Sequence, residues 1–194
     1  MAELQNILSR LSRIFKSSEI EYVIVGGIAV NYYGHIRATQ DIDIIIEDNL
    51  TKIYEFVALL ETNNFDVMRD QLEIAIKEKT QISIFDNKSF LRLDLKVAAE
   101  ASEYDALQNA TKQMIFDNEL HLASLEYVLI GKLMYMGRIE NIQKSELLEY
   151  QDVIDFLTIY YANINLIDVE LLEAKVKELN LEGNLERLLK LKFE

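Results

Sequence analysis

Between Tyr22 and Glu47 the chain reads YVIVGGIAVNYYGHIRATQDIDIIIE, and this stretch limits the fold more than any other. An apolar run that reads as a strand enters the glycine pair Gly26-Gly27, and a short helical segment follows. A second apolar run then opens with Asp41 and Asp43. Side chains two apart on a strand share a face, so both carboxylates aim at one point. Like charges held that close resist ionising together unless a cation sits between them. A divalent metal is the usual partner, since hard cations such as magnesium prefer carboxylate oxygens and often bring substrate phosphates with them. The glycine pair offers bare backbone N–H groups at a helix start, where phosphate oxygens bind well. Strand, glycine turn, helix and acid-bearing strand together point to phosphoryl or nucleotidyl chemistry.

The 194 residues suit one domain, or one domain with a helical extension. The first residues place Leu4, Ile7, Leu8, Leu11, Ile14 and Phe15 at helical spacing. That pattern predicts an amphipathic helix rather than a signal peptide, because no continuous apolar segment is present. No apolar run approaches the roughly 18 residues of a membrane span, and a cytoplasmic location is the default expectation. With no cysteine there is no disulfide framework, zinc–thiolate site or cysteine nucleophile. The formal charge of −13 counts against a broad nucleic-acid surface, which would reward basic residues.

The pattern predicts strands at 22–25 and 41–47, a short helix near 28–33, and a helix over 50–62 begun by Glu47-Asp48-Asn49. Ile53, Phe56, Val57 and Leu60 give that last helix its apolar stripe. A short strand at 65–68, a weak helix at 70–78 and strands at 81–85 and 90–97 follow. A helix near 100–110 leads to a hairpin of 113–116 and 119–123, turning at Asp117-Asn118. From Ser124 on, only helices are expected: 124–137, 146–161, 168–180 and 184–192, with Ser124, Asp168 and Asn184 as N-caps. The tail tyrosines Tyr135, Tyr150, Tyr160 and Tyr161 read as helix-packing residues. The fold class expected is α/β (α+β), a mixed sheet flanked by helices over residues 1–123, with a helical C-terminal subdomain over 124–194 packed on it.

The strand FLRLDLKV alternates, with Leu91, Leu93, Leu95 and Val97 on one face and Arg92, Asp94 and Lys96 on the other. If it lies beside 41–47, Asp94 joins Asp41 and Asp43, and three carboxylates suit a two-metal in-line displacement. With GG, then GHIRATQDIDIII, a later LDL and a helical tail, the chain resembles the nucleotidyltransferase superfamily with the polymerase-β-like fold. It is most similar to bacterial minimal nucleotidyltransferases and the AbiEii-type toxins of toxin–antitoxin systems. The family pattern falls on Gly26, Gly27, Ala29, Val30, Gly34, Arg37, Thr39, Asp41 and Asp43, and the third family acid on Asp94. Where many members carry Gly-Ser, this chain has Gly-Gly, which leaves only backbone contacts for phosphate at that turn. The tail SLEYVLIGKL…YQDVIDFL matches the family's lysine and aspartate at Lys132 and at Asp152 or Asp155.

The resemblance implies a magnesium-dependent nucleotidyltransferase, with manganese able to serve in its place. Asp41, Asp43 and Asp94 would hold metal, Asp94 would also favour deprotonation of the acceptor, and Gly26 and Gly27 would hold the leaving phosphates. Arg37 either contacts phosphate or pairs with one of the many acids. Thr39 sits with it beside the metal strand, among the nucleotide-binding positions. Lys132 is either a triphosphate contact or a lysine at the margin of an apolar helix face, and Asp152 would orient it. The partners implied are an NTP, an acceptor hydroxyl on RNA (a tRNA 3′ end), a protein or a small molecule, and an antitoxin protein. The rival function is a noncatalytic nucleotide-binding or partner-binding module on the same fold. His35 and His121 form no metal-ligand spacing, and neither a nucleophile elbow nor a P-loop sequence occurs.

Overall fold

The computed structural model describes residues 2–191. Its contacts gather the chain into two compact units. One contains the residues up to Ala29 together with Ala38–Ala123, and the other contains Val30–Arg37 with the chain from Ser124 on. The seam at Ser124 is where the sequence turns all-helical. The short segment Val30–Arg37, which sequence reading assigned to the first unit, belongs to the second.

In the first unit, α1 (Ala2–Ser18) leads to β1 (Tyr22–Ile24), the start of α2 (Gly26–Tyr32), β2 (Asp41–Ile46) and α3 (Leu50–Thr62). Then come β3 (Phe65–Asp66), α4 (Arg69–Glu78), β4 (Gln81–Asp86), β5 (Arg92–Val97), α5 (Ala101–Gln108), β6 (Thr111–Ile115) and β7 (Asn118–Leu122). The seven strands form one mixed sheet in the order β3-β4-β5-β2-β1-β7-β6. Ile42, Ile44 and Ile46 of β2 and Leu93, Leu95 and Val97 of β5 are buried, whereas Asp41 and Asp43 occupy the half-buried positions between. The alternation that the sequence displays is thus the division between core face and functional face.

The helices bury the stripes that their spacing announces. α3 is capped by Asn49, whose side chain accepts from Lys52 N–H, and it buries Ile53, Phe56, Val57 and Leu60. α1 packs against α3 and β7, with Phe15 stacked on both Tyr22 and Phe56. Arg10 is buried and donates to Asp86 Oδ2 at 2.7 Å and to the Asn63 carbonyl at 2.9 Å. Asp86 also accepts from Ser89, so this acid is a structural anchor for the β4–β5 turn.

The second unit contains α6 (Leu125–Tyr135), α7 (Lys144–Leu147), α8 (Gln151–Ala162), α9 (Val169–Glu178) and α10 (Glu182–Leu189). α6 packs on α8 and α9, and α10 on the same two helices. Several expectations need correction here and in the hairpin. The helix expected over 146–161 is two helices, and no glycine or proline marks the break at Leu148–Tyr150. Asn184 lies inside α10, where its buried amide donates to the Leu133 and Gly137 carbonyls at the end of α6. It therefore caps another helix's C-terminus rather than its own N-terminus. Ser124 precedes α6, but its hydroxyl is turned to Glu126, while Asp168 accepts from Leu171 N–H as a true N-cap. The hairpin turns at Phe116-Asp117, both at positive φ, one residue earlier than expected. Tyr160 stacks on Phe156, but Tyr135 is 78 % exposed and packs little. Position 192, the expected end of the last helix, lies outside the described residues.

Candidate active site

β2 and β5 run parallel as neighbours, with Asp41 opposite Arg92 and Asp43 opposite Asp94. Residues in register share a face, so Asp41, Asp43 and Asp94 lie on one side of the sheet. Arg92 stands among them. Its Nη2 is 3.3 Å from Asp41 Oδ2, and its Nε is 3.2 Å from Asp94 Oδ1. Asp94, although buried, is further held by Ser83 of β4, whose hydroxyl donates to its Oδ1 at 2.6 Å. Thr39 donates to Asp41 Oδ1 at 2.8 Å. The negative charge of the acid cluster is thus met by a guanidinium and two hydroxyls.

The glycine pair opens α2, and each glycine is needed for a separate reason. Gly26 has φ +58°, and a Cβ there would overlap the Asp43 carboxylate. A Cβ on Gly27 would come within 2.6 Å of Thr39 Oγ1. Backbone rather than side chain therefore lies against two of the residues that form the acid face. Among the described residues, no three His, Cys, Asp or Glu side chains are gathered as a metal-binding group as they stand. The donor set nevertheless fits a hard divalent ion, because it offers carboxylate oxygens around a position already held by a cationic group.

A second charged cluster lies within the helical unit and centres on Asp155, whose side chain is fully buried. Its Oδ1 accepts from Arg37 Nε at 3.0 Å and from Gln151 at 2.8 Å, while its Oδ2 accepts from Arg37 Nη2 at 3.0 Å. Lys132 Nζ lies 2.7 Å from Asp155 Oδ2 and 2.8 Å from Asp152 Oδ1. His35 Nδ1 is 2.8 Å from Asp155 Oδ1, a hydrogen bond that requires the proton on Nδ1. Burial pushes the Asp155 carboxyl up, but the hydrogen bonds from Arg37, Lys132 and Gln151 outweigh it, and the pKa settles at about 2.

The residues singled out in the sequence thus fall into two groups. Gly26, Gly27, Thr39, Asp41, Asp43 and Asp94 gather in the first unit, and Arg37, Lys132 and Asp152 in the second. Arg92 is a site residue that the sequence pattern alone does not single out, although it lies two residues before Asp94 and so shares its face. Ser83 became visible only through strand pairing. Asp155 ranked behind Asp152, because nothing local shows that Arg37 and His35, more than a hundred residues earlier, converge on it.

No protein-family model matches the sequence, and no curated protein matches it. Solved structures do. The solution structure of the antibiotic-resistance factor ANT(2'')-Ia is 16% identical, with 96% of this chain and 98% of that chain aligned and a TM-score of 0.59. The crystal structure of ANT(2'')-Ia in complex with adenylyl-2''-tobramycin is 14% identical over 91% of this chain and 98% of that one, with a TM-score of 0.58. An antigenic nucleotidyltransferase-like protein from Paracoccidioides brasiliensis is 19% identical over 100% of this chain and 95% of that one, with a TM-score of 0.50. The fold expected from the sequence, a mixed α/β nucleotidyltransferase-like architecture, is the fold observed. No helix among the described residues is long and apolar enough to cross a membrane.

Proposed function

We propose that the protein transfers a nucleoside monophosphate from an NTP to an acceptor hydroxyl and releases pyrophosphate. The observation that carries this reading is the register of β2 and β5, which sets Asp41, Asp43 and Asp94 on one face around the Arg92 guanidinium. Asp41, Asp43 and Asp94 would hold magnesium or manganese, which when bound neutralises phosphate charge and orients the reacting groups. Thr39 fixes Asp41, and Ser83 fixes Asp94, so the carboxylates are positioned before substrate arrives. The backbone N–H groups at Gly26 and Gly27 would hold the leaving phosphates. Asp94 accepts the proton of the attacking hydroxyl. Arg92, 43% exposed along its side chain, would have to yield its place between Asp41 and Asp94 to the metal.

Lys132 spends its charge on Asp152 and Asp155, and these contacts join α6 to α8. A triphosphate contact from Lys132, and one from Arg37, belong to the same proposal and have their own test. Lys132→Ala should weaken binding of a nonhydrolysable NTP analogue, and Lys132→Arg should retain part of it; wild-type affinity in both leaves the lysine a structural tie.

The central experiment measures pyrophosphate release from each NTP with magnesium and a panel of hydroxyl acceptors. Release in the wild type with loss of about a hundredfold or more in Asp43→Asn supports the reading, since a lost metal ligand removes several kcal/mol of transition-state stabilisation. NTP binding without release in any condition favours the noncatalytic nucleotide-binding module instead. The resemblance to AbiEii-type toxins adds a role in a toxin–antitoxin system in the cytoplasm. That role requires induced expression to arrest growth in an Asp43-dependent manner, with relief by a separate antitoxin protein.

A further inference from the structure

β4 has β5 along one side for its whole length, but on its other side β3 reaches only Phe85 and Asp86. One hydrogen bond fixes which backbone groups face outward. Asp86 donates its N–H to the Leu91 carbonyl on the β5 side at 3.2 Å. Bonding direction alternates along an antiparallel pair, so Ile82 and Ile84 also bond inward, and Gln81 and Ser83 direct their N–H and C=O away from β5. Asn87 shares that parity and donates outward to the Asn64 carbonyl at 3.0 Å, as the alternation requires. A continued ladder would set Met68 opposite Ser83, but Met68 is the residue from which α4 starts. Gln81 and Ser83 therefore present an edge that meets no strand among the described residues.

A groove of about 440 Å³ follows this edge, between α4 and β4. Ile82 lines it as well as Gln81 and Ser83, so residues of both faces border it and it tracks the edge itself. Met68, Ile74 and Phe85 give it exposed apolar walls, at 38%, 54% and 47% exposure, and Gln71 adds an amide. No lining residue is charged. Of the nearby cations Arg69 is engaged by Glu61 and Lys79 by Asp48, while on α4 the three acids Asp70, Glu73 and Glu78 outnumber the one remaining cation, Lys77. Such surroundings disfavour a phosphate backbone and suit a neutral or basic occupant. A polycationic small molecule would find no carboxylate in the lining. Alternating outward amides and carbonyls beside apolar walls are what an added β-strand satisfies.

We propose that this groove receives the acceptor, and that the acceptor is a Ser, Thr or Tyr hydroxyl on an extended, neutral or basic polypeptide segment paired with Gln81 and Ser83. The proposal rests on the nucleotidyl-transfer reading above. Ser83 links the two sites, since it borders the groove and donates to Asp94 at 2.6 Å. The acceptor oxygen attacks the α-phosphorus of the NTP. The bond from that phosphorus to the oxygen bridging toward the β-phosphate breaks, and pyrophosphate leaves with the electron pair. The hydroxyl proton passes to the Asp94 carboxylate.

The test offers NTPs radiolabelled at the α-phosphorus, with magnesium, to three acceptors in parallel. These are short lysine-ended peptides of alternating β-branched residues carrying one Ser, Thr or Tyr, RNA with a free 3′-hydroxyl, and tobramycin. Label should enter the peptides. Gln81→Pro removes one outward N–H at the first strand position, where proline is tolerated, and Ile74→Ala shortens an exposed apolar wall. Each should raise the KM for peptide about tenfold and leave affinity for a nonhydrolysable NTP unchanged. Peptide alone should slow hydrogen exchange at the Gln81 and Ser83 amides, a readout independent of turnover. Label confined to RNA or tobramycin overturns the proposal. So does peptide labelling that ignores both variants with no change in exchange. Pyrophosphate release with no peptide labelled removes the peptide acceptor while the transfer reading stands; absence of both NTP binding and release removes both.

Discussion

Asp155 stays ionised although its side chain is fully buried, because Arg37, Lys132, Gln151 and His35 all converge on it. Removing it takes the shared buried acid from Arg37 and Lys132, so Asp155→Ala should cost about 3–5 kcal/mol in denaturant unfolding. The pH dependence follows from a carboxyl depressed from 3.8 to about 2. A depressed acid contributes stability that is full above its unfolded pKa and lost as pH falls through its folded one. The contribution, on the order of 2 kcal/mol, should therefore persist down to about pH 4 and disappear toward pH 2, and acid titration of stability in wild type against Asp155→Ala would show the difference. Arg92 gives the matching prediction for the acid face. Without it Asp41 and Asp94 repel, so Arg92→Gln should lower Tm in metal-free buffer and gain more Tm than the wild type on adding magnesium. An equal magnesium effect in the two proteins would detach Arg92 from the metal question. Three of these acids, Asp41, Asp43 and Asp94, were legible because strands repeat every two residues. Asp155 was not, since its meaning depends on partners distant in sequence.

Elements with one strong stripe were legible almost to the residue. α3 spans Leu50–Thr62 as its apolar spacing and the Asn49 cap require, and β4 and β5 are where alternation places them. Breaks without glycine or proline were not legible. The interruption at Leu148–Tyr150 lets α8 begin at Gln151, whose amide then reaches Asp155 one turn later. The β6–β7 hairpin shows a local choice overruled by register. Met114 pairs with Glu119 and Ile115 with Asn118, which forces Phe116 and Asp117 into a two-residue turn at φ +47° and +62°. A bulky residue there costs about 1–2 kcal/mol. Phe116→Asn with Asp117→Gly supplies the pair that such turns favour. The double variant should be more stable by about 1 kcal/mol in denaturant unfolding; a loss would show that Phe116 packs usefully enough to offset its strain.

At the scale of the whole molecule, the sequence suggested a single seam at Ser124, whereas the chain passes between its two units three times. It leaves the first unit after Ala29, returns at Ala38 and leaves again at Ser124. The middle excursion was illegible because Val30–Arg37 is short and its partners are far along the chain. There the Asn31 side-chain amide bonds both the carbonyl and the N–H of Arg37, Asn163 donates to the Tyr33 carbonyl, and Asp155 holds His35 and Arg37. A fragment ending at Ala123 should keep the sheet but lose the Asn163 and Asp155 anchors, so limited trypsin digestion should cut after Arg37 far sooner than in the full chain. The same threading bears on inheritance. A single genetic crossover near codon 124 would join a new tail to a loop fitted to the old one, with Arg37 and His35 facing whatever residue that tail sets in the place of Asp155. The two units can be exchanged between relatives only if the eight-residue excursion travels with the tail, so recombination should either move both pieces together or leave both in place.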